Sequence, residues 1–349
     1  MLNSYFADES ERRSQGIPPL PLSPEQVQAL CQILENPPHE KEDIFLKLLK
    51  NRIAPGVDPA AKVKADWLTR VAQGRSLSPV IGKRDAVVLL GTMLGGYNVE
   101  PLIGFLEDET LAPEASRALK GIILVYNAFD KIAEMAGKNS FAREVLESWA
   151  NGEWFHSRQK FPEKLKLKVF KVEGETNTDD FSPAKHAWSR PDIPLHALSM
   201  GETRFPGGID TIRQFQEKGH RVVFVGDVVG TGSSRKSATN SLMWHIGEDI
   251  PYVPNKRRAG VVLGGLIAPI FFNTVEDSGG LPIMCDVTRL KTGDVVVLDI
   301  REGTIIDEKG DVLSKITLEP ATLQDEYRAG GRLFLMIGRA LTSKAREAL

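Results

Sequence analysis

The chain has 349 residues, enough for two or three domains and a substantial core. Its 44 Lys and Arg stand against 46 Asp and Glu, a balance that gives no electrostatic footprint for nucleic acid or a membrane surface. The opening MLNSYFADES lacks a basic start and an apolar core, so no secretory signal and a cytoplasmic location are expected.

From the N-terminus to about residue 158, apolar residues recur at helical spacing. Ser23-Pro24-Glu25-Gln26 reads as a helix start, with Ser at the cap, Pro at the first position and Gln three residues after the cap. Val27, Leu30, Cys31 and Leu34 then form one apolar face, and Asn36-Pro37-Pro38 ends it. A second helix carries Ile44, Phe45, Leu48 and Leu49, and a third, capped by Asp58-Pro59, carries Val63, Trp67 and Val71. Further helices are predicted around Val87–Met93, Pro101–Leu106, Ala115–Tyr126 and Phe141–Trp149. Short helices with Gly-, Pro- and Asn-rich connections predict an all-α, HEAT-like solenoid over residues 1–158, although no repeat of fixed period is visible. A plain helical bundle supporting its neighbour is the alternative.

Between Arg158 and Lys164 the pattern changes to alternation. Leu165, Leu167 and Val169 alternate with lysines as a half-exposed strand, and an α/β layered domain is expected over residues 159–349. Its predicted elements include an apolar segment Val261–Leu263, a helix from Pro269 to about Ser278, and strands at 295–298, 304–306 and 316–318. The longest apolar run, near Val261 to Phe272, is broken by glycines and Pro269 and is too short to span a bilayer, so no membrane is expected. Lys256-Arg257-Arg258 is a small basic knot, read as a solvated turn. Thr342 or Ser343 is read as capping a fresh helix that runs to the last residue.

Two cysteines, Cys31 and Cys285, stand far apart with no Cys-x-x-Cys and no His cluster. Neither zinc nor an iron–sulfur cluster held by this chain alone is expected, and each reads as a small buried thiol.

The organising stretch is Arg221 to Ser241. Val222–Val225 reads as a buried strand, Gly226, Gly230 and Gly232 as a tight turn, and Ser233 onward as the first turns of a helix. Free N–H groups and the positive dipole end there suit a carboxylate or phosphate, and Arg235 adds a planar fork. Spacing rules out sharper readings. Thr231 stands where a phosphate loop needs Gly, Arg235 where a dinucleotide fingerprint needs one, and Lys236 where a nucleophile elbow needs one. The bland alternative is that the serines merely cap a helix. A second cluster, Glu175 to Pro183, follows a strand and is dense in turn and cap formers; Ser189-Arg190-Pro191-Asp192 follows it.

These segments resemble the swivelling domain of aconitases: N-T-D-D-F-S, G-T-G-S-S-R, and A-P-I-F-F-N-T followed by G-L-P-I. The helical front portion, S-R-P-D-I-P-L-H-A and V-G-D-V-V-G-T-G-S-S-R-K-S-A-T-N-S are similar to the aconitase B branch, and the resemblance covers essentially the whole chain. It implies a HEAT-like domain at 1–158, a swivel domain at 159–349, and interconversion of citrate and isocitrate by dehydration and rehydration. Ser233 looks like the family's serine base. Arg190, Ser234 and Arg235 look like substrate-carboxylate ligands, and Thr178, Asp179 and Ser182 match residues that line the site. Asp180 stands where the family often has His.

The cluster-bearing domains that follow in the family, with the cysteines ligating its [4Fe–4S] cluster, have no counterpart here. The chain is therefore expected to be inactive alone, with no cofactor of its own and cluster-bearing aconitase domains as partners. The resemblance also implies a homodimer through the front domains and an mRNA partner, for which no basic and aromatic pattern here adds support. The alternatives are a separately encoded swivel subunit and a non-catalytic regulatory module. Methyl-branched tricarboxylates stand beside citrate as substrates.

Overall fold

A computed structural model describes residues 2–349. They divide into two compact units, one of residues up to 158 with 251–254 and 336–349, the other of residues 159–250 and 255–335.

The first unit is helical. Its early helices are Leu2–Ser14, Pro24–Glu35, Glu42–Asn51, Pro59–Ala72 and Lys83–Gly91. Val99–Gly104, Ala112–Lys120, Ala128–Met135, Ser140–Ala150 and Glu153–His156 follow. The expected start at Ser23 is a full capping box: Ser23 Oγ accepts from the Gln26 N–H at 3.2 Å, and Gln26 Oε1 accepts from the Ser23 N–H at 3.0 Å. Helix 24–35 packs on 59–72, which packs on 83–91, then 112–120, then 140–150, so these five form one row. Leu30, Leu34, Trp67, Leu68, Leu90 and Trp149 fill the core between them.

Two expectations here need correction. The helix expected to reach Tyr126 stops at Lys120, and Tyr126 has φ 46°, a left-handed backbone that no helix interior tolerates. The terminal helix runs unbroken over Arg332–Ala348, so Thr342 is an interior residue whose Oγ1 accepts from Trp154 Nε1 at 3.0 Å. Helices 2–14 and 128–135 were not singled out by the sequence pattern.

From residue 159 onward the chain forms nine strands: β1 Lys164–Asn177, β2 Val222–Thr231, β3 Glu248–Ile250, β4 Val253–Arg258, β5 Val261–Ile267, β6 Leu281–Met284, β7 Val295–Asp299, β8 Thr304–Asp307 and β9 Val312–Lys315. Seven of them form a sheet in the order β6-β5-β2-β1-β7-β8-β9, and β3 pairs with β4 separately. β6, β5, β2 and β1 are parallel, and β7 to β9 return as an antiparallel meander on the far side of β1.

Alternation sorts side chains between two cores. Leu165, Leu167, Val169, Val223, Val225, Val261 and Leu263 face one, with Leu323 over them. Phe170, Val172, Val222, Phe224 and Val262 face the other, where Ile212, Leu242, Met243, Phe271 and Val275 cover them. Those covering residues come from helices Gly208–Glu217, Arg235–Ile246 and Pro269–Asp277.

The expected glycine turn after Val225 is strand as far as Thr231, because Gly226 keeps extended pairing with Val172 and Gly264. The strand expected at 316–318 lies at 312–315, with Ile316 only bridged to Cys285. Lys256-Arg257-Arg258 belongs to β4 rather than to a solvated turn. There the Arg257 guanidinium lies 4.4 Å from the Trp244 ring and 2.7 Å from Asp249.

Candidate functional site

β1 and β2 run side by side, with Asn177 opposite Thr231, so the two chains leave the same sheet edge together. Beyond the carboxyl ends of parallel strands is where open α/β sheets hold ligands. After β1 comes one helical turn, Thr178–Phe181. Phe181 pins it: fully buried, its ring stacks on Phe271 at 5.8 Å and meets Phe224 edge-on at 5.1 Å. Asn177 Oδ1 accepts from the Asp179 and Asp180 N–H groups at 2.8 and 3.0 Å, and Asp180 Oδ2 accepts from the Asn177 N–H at 2.8 Å. The Asp180 carboxylate is thus spent on the turn, whereas Asp179 is exposed.

After β2 the chain passes Gly232 and Ser233 before the helix Arg235–Ile246 begins, two residues later than expected. Gly232 has φ 107°, and a Cβ there would lie 2.5 Å from Thr178 Oγ1. Glycine therefore permits both the backbone conformation and the close approach. Thr178 Oγ1 accepts from the Ser234 N–H at 3.2 Å, which ties the two turns together.

Ser234 occupies the N-cap position, but its hydroxyl makes no cap hydrogen bond. Instead Ser234 Oγ accepts from Arg190 Nη2 at 3.1 Å. The reading in which this serine merely caps a helix therefore fails, and the first-turn N–H groups keep no side-chain acceptor. Arg190 Nε is enclosed and has no hydrogen-bond partner. Among the described residues no carboxylate lies in ion-pair range of Arg190 or Arg235, and both side chains are half-buried. Ser233 is exposed. Uncompensated guanidinium charge beside an open helix start and a free hydroxyl suits an anion with several carboxylates.

Beneath this surface lies a network of hydroxyls around one imidazole. His196, in the short helix Ile193–Ala197, sits with Nε2 2.7 Å from Ser182 Oγ and Nδ1 2.9 Å from Ser189 Oγ. Ser182 Oγ bonds Ser237 Oγ at 2.8 Å, and Ser237 Oγ donates to the Ser234 carbonyl at 3.1 Å. Burial first, then the Arg190 charge, lowers the His196 pKa below its ordinary value.

The structure thus joins Arg190, Ser234 and Thr178 by direct hydrogen bonds and reaches Ser182 through Ser237, with Ser233 and Arg235 flanking Ser234 in the chain. Thr178 and Ser182 are buried, which places them under the surface rather than on it. Asp179 makes no side-chain bond to the group. His196, Ser189 and Ser237 escaped the sequence reading, because spacings of 14 and 55 residues carry no local signal. The thiols lie elsewhere: burial pushes Cys31 up to about 12 and Cys285 up to about 11. Among the described residues no three His, Cys, Asp or Glu side chains gather as metal ligands. These residues do not fit an iron–sulfur cluster, which needs thiolates at one place.

Residues 167–349 match the family model described as the aconitate hydratase 2 N-terminus, and residues 4–155 match the aconitate B N-terminal domain. The chain belongs to the aconitate hydratase B family. It is similar to aconitate hydratase B of Synechocystis, 53% identical over 100% of this chain and 40% of that one. Aconitate hydratase B of Escherichia coli K12 is 52% identical, over 100% of this chain and 42% of that one. The chain therefore spans about two fifths of the length of these family members. A crystal structure of 3-isopropylmalate dehydratase from Methanocaldococcus jannaschii overlays with a TM-score of 0.39 at 22% identity, covering 52% of this chain and 98% of that one. No helix among the described residues is long and apolar enough to cross a membrane.

Proposed function

We propose that this chain supplies the carboxylate-clamping half and the proton-abstracting group of an aconitate hydratase B site that interconverts citrate and isocitrate. The observation that carries the reading is the Arg190–Ser234 bond beside an uncapped helix start, with no carboxylate partner for the guanidinium. Citrate carries three carboxylates, and fixed donors of this kind hold such an anion at small reorganisation cost.

In this reading Arg190, Ser234 and Arg235 bind substrate carboxylates. Ser233 removes the proton from the carbon beside one of them. A serine hydroxyl is a weak base, so its alkoxide depends on the neighbouring guanidinium charge and the helix dipole. The hydroxyl that leaves the adjacent carbon needs an acid that this chain's residues do not offer. The [4Fe–4S] cluster of the family is accordingly assigned to cluster-bearing domains outside the residues described. Thr178 and Ser182 act from below, by holding the two turns together, and the division into a helical, HEAT-like domain and a swivel domain from residue 159, with 336–349 grouped with the helical part, is part of the same proposal.

Citrate turnover, assayed on this chain alone and in a complete enzyme containing it, tests the division of labour. The chain alone is expected to be inactive. In the complete enzyme, Ser233→Ala should lower kcat by about 10²–10⁴-fold with a small change in KM. Near-normal turnover in that variant would remove Ser233 as the base.

A further inference from the structure

One imidazole spans the two segments that carry the anion-binding groups. Ser189, on Nδ1 of His196, immediately precedes Arg190; Ser182, on Nε2, leads through Ser237 to the carbonyl of Ser234. Ser234 in turn accepts from Arg190 at 3.1 Å. The path is a closed ring of contacts, and His196 is 2% exposed within it.

Counting protons shows what the ring nitrogen decides. Ser189 Oγ also donates to the His186 carbonyl at 2.8 Å, so five contacts share three hydroxyl protons and the single proton of a neutral imidazole, and in either tautomer one contact goes without a proton. With the proton on Nε2, the ring donates to Ser182, Ser182 donates to Ser237, and Ser237 donates to the Ser234 carbonyl; the contact left without a proton is then at Ser189, whose hydroxyl serves either Nδ1 or the His186 carbonyl, and the path to Ser234 stays complete. With the proton on Nδ1, Ser182 donates back to the ring. Ser237 must then give up either Ser182 or the Ser234 carbonyl.

We propose that His196, as its Nε2–H tautomer, is a positioning residue that holds the Ser233–Ser234 turn in register with Arg190. This rests on the reading of Arg190 and Ser234 as carboxylate ligands, and it adds a residue that touches no substrate.

Two substitutions of similar polarity separate positioning from mere support. In His196→Gln the amide N–H can take the place of Nε2 and still donate to Ser182. In His196→Asn the shorter amide reaches Ser189 and leaves Ser182 without a donor. Calorimetric titration of citrate into the full chain should show about tenfold weaker binding for His196→Asn, and within about twofold of wild type for His196→Gln. Ser237→Ala cuts the same path without touching the ring, and it should match His196→Asn even if that variant folds poorly. Equal losses in Asn and Gln variants, or full affinity in Ser237→Ala, would overturn the proposal.

Amide hydrogen exchange at Ser234–Ala238, measured without ligand, keeps the two readings apart. Exchange should be at least about tenfold faster in His196→Asn and Ser237→Ala and near wild type in His196→Gln. A wild-type chain that fails to bind citrate would remove the carboxylate reading. Unchanged exchange in the first two variants would remove the positioning role.

Discussion

Three neighbouring side chains, Ser233, Ser234 and Arg235, have different environments although they are consecutive. Ser233 is exposed, whereas Ser234 is committed to Arg190 and to the N-cap position. Replacing Ser234 with Ala deletes the acceptor of a charged donor, so the Arg190 guanidinium loses its one protein hydrogen bond among the described residues. In a complete enzyme, KM for citrate should rise by about tenfold in Ser234→Ala with kcat less affected, the reverse of the split predicted for Ser233→Ala. A pair of variants that changes both constants alike would show that the two hydroxyls share one role. The sequence made this pair visible, since hydroxyls, glycines and an arginine are compressed into one strand-to-helix stretch. Which hydroxyl is committed and which is exposed was not legible. That depends on Arg190, 44 residues away, and on a cap bond that is not made.

The elements that matter most at this site are two turns locked edge to edge. β1 and β2 set the register, Phe181 anchors one turn in the aromatic core, and Gly232 lets the other come within bonding reach of Thr178. A methyl group at Gly232 would strain a backbone at φ 107° and push against Thr178 Oγ1, the acceptor of the Ser234 N–H. Gly232→Ala should therefore lose about 1–3 kcal/mol of stability and, in the same variant, citrate affinity. Chemical denaturation together with titration checks this, and wild-type values in both would contradict it.

Helices with a cap and an apolar stripe, such as 24–35 and 59–72, were legible because those signals are local. The true extent of β2 was not. Glycines predict a turn unless neighbouring strands claim their backbone groups, and β1 and β5 do so here. The terminal helix was misread for a related reason, since Thr342 suggests a cap until its bond to Trp154 is known.

For the molecule as a whole, buried titratable groups set opposing pH dependences. His245 donates from Nε2 to the Ala197 carbonyl, and burial lowers its pKa to about 4. The unfolded chain takes up that proton near pH 6.5, so the His245 contribution is full above pH 6.5 and is lost as pH falls toward 4, about 3 kcal/mol in all. Glu276 runs the other way. Burial, with Glu326 beside it, raises its pKa to about 7, so its contribution is full below about pH 4.5 and is lost as pH rises through 7. Glu276→Gln should accordingly gain about 2–3 kcal/mol relative to wild type between pH 4.5 and pH 8, measured by denaturant titration at both values. A pH-independent difference would mean that Glu276 ionises in the folded chain at its ordinary pKa.

On the proposed function, uncompensated guanidinium charge at this sheet edge holds a polycarboxylate. Calorimetric titration of citrate into the wild-type chain and into Arg190→Ala and Arg235→Ala tests it most directly. One saturable site in the wild type, weakened at least about tenfold in each variant, is the predicted result. No saturable binding in the wild type, or equal affinity in all three proteins, would contradict it.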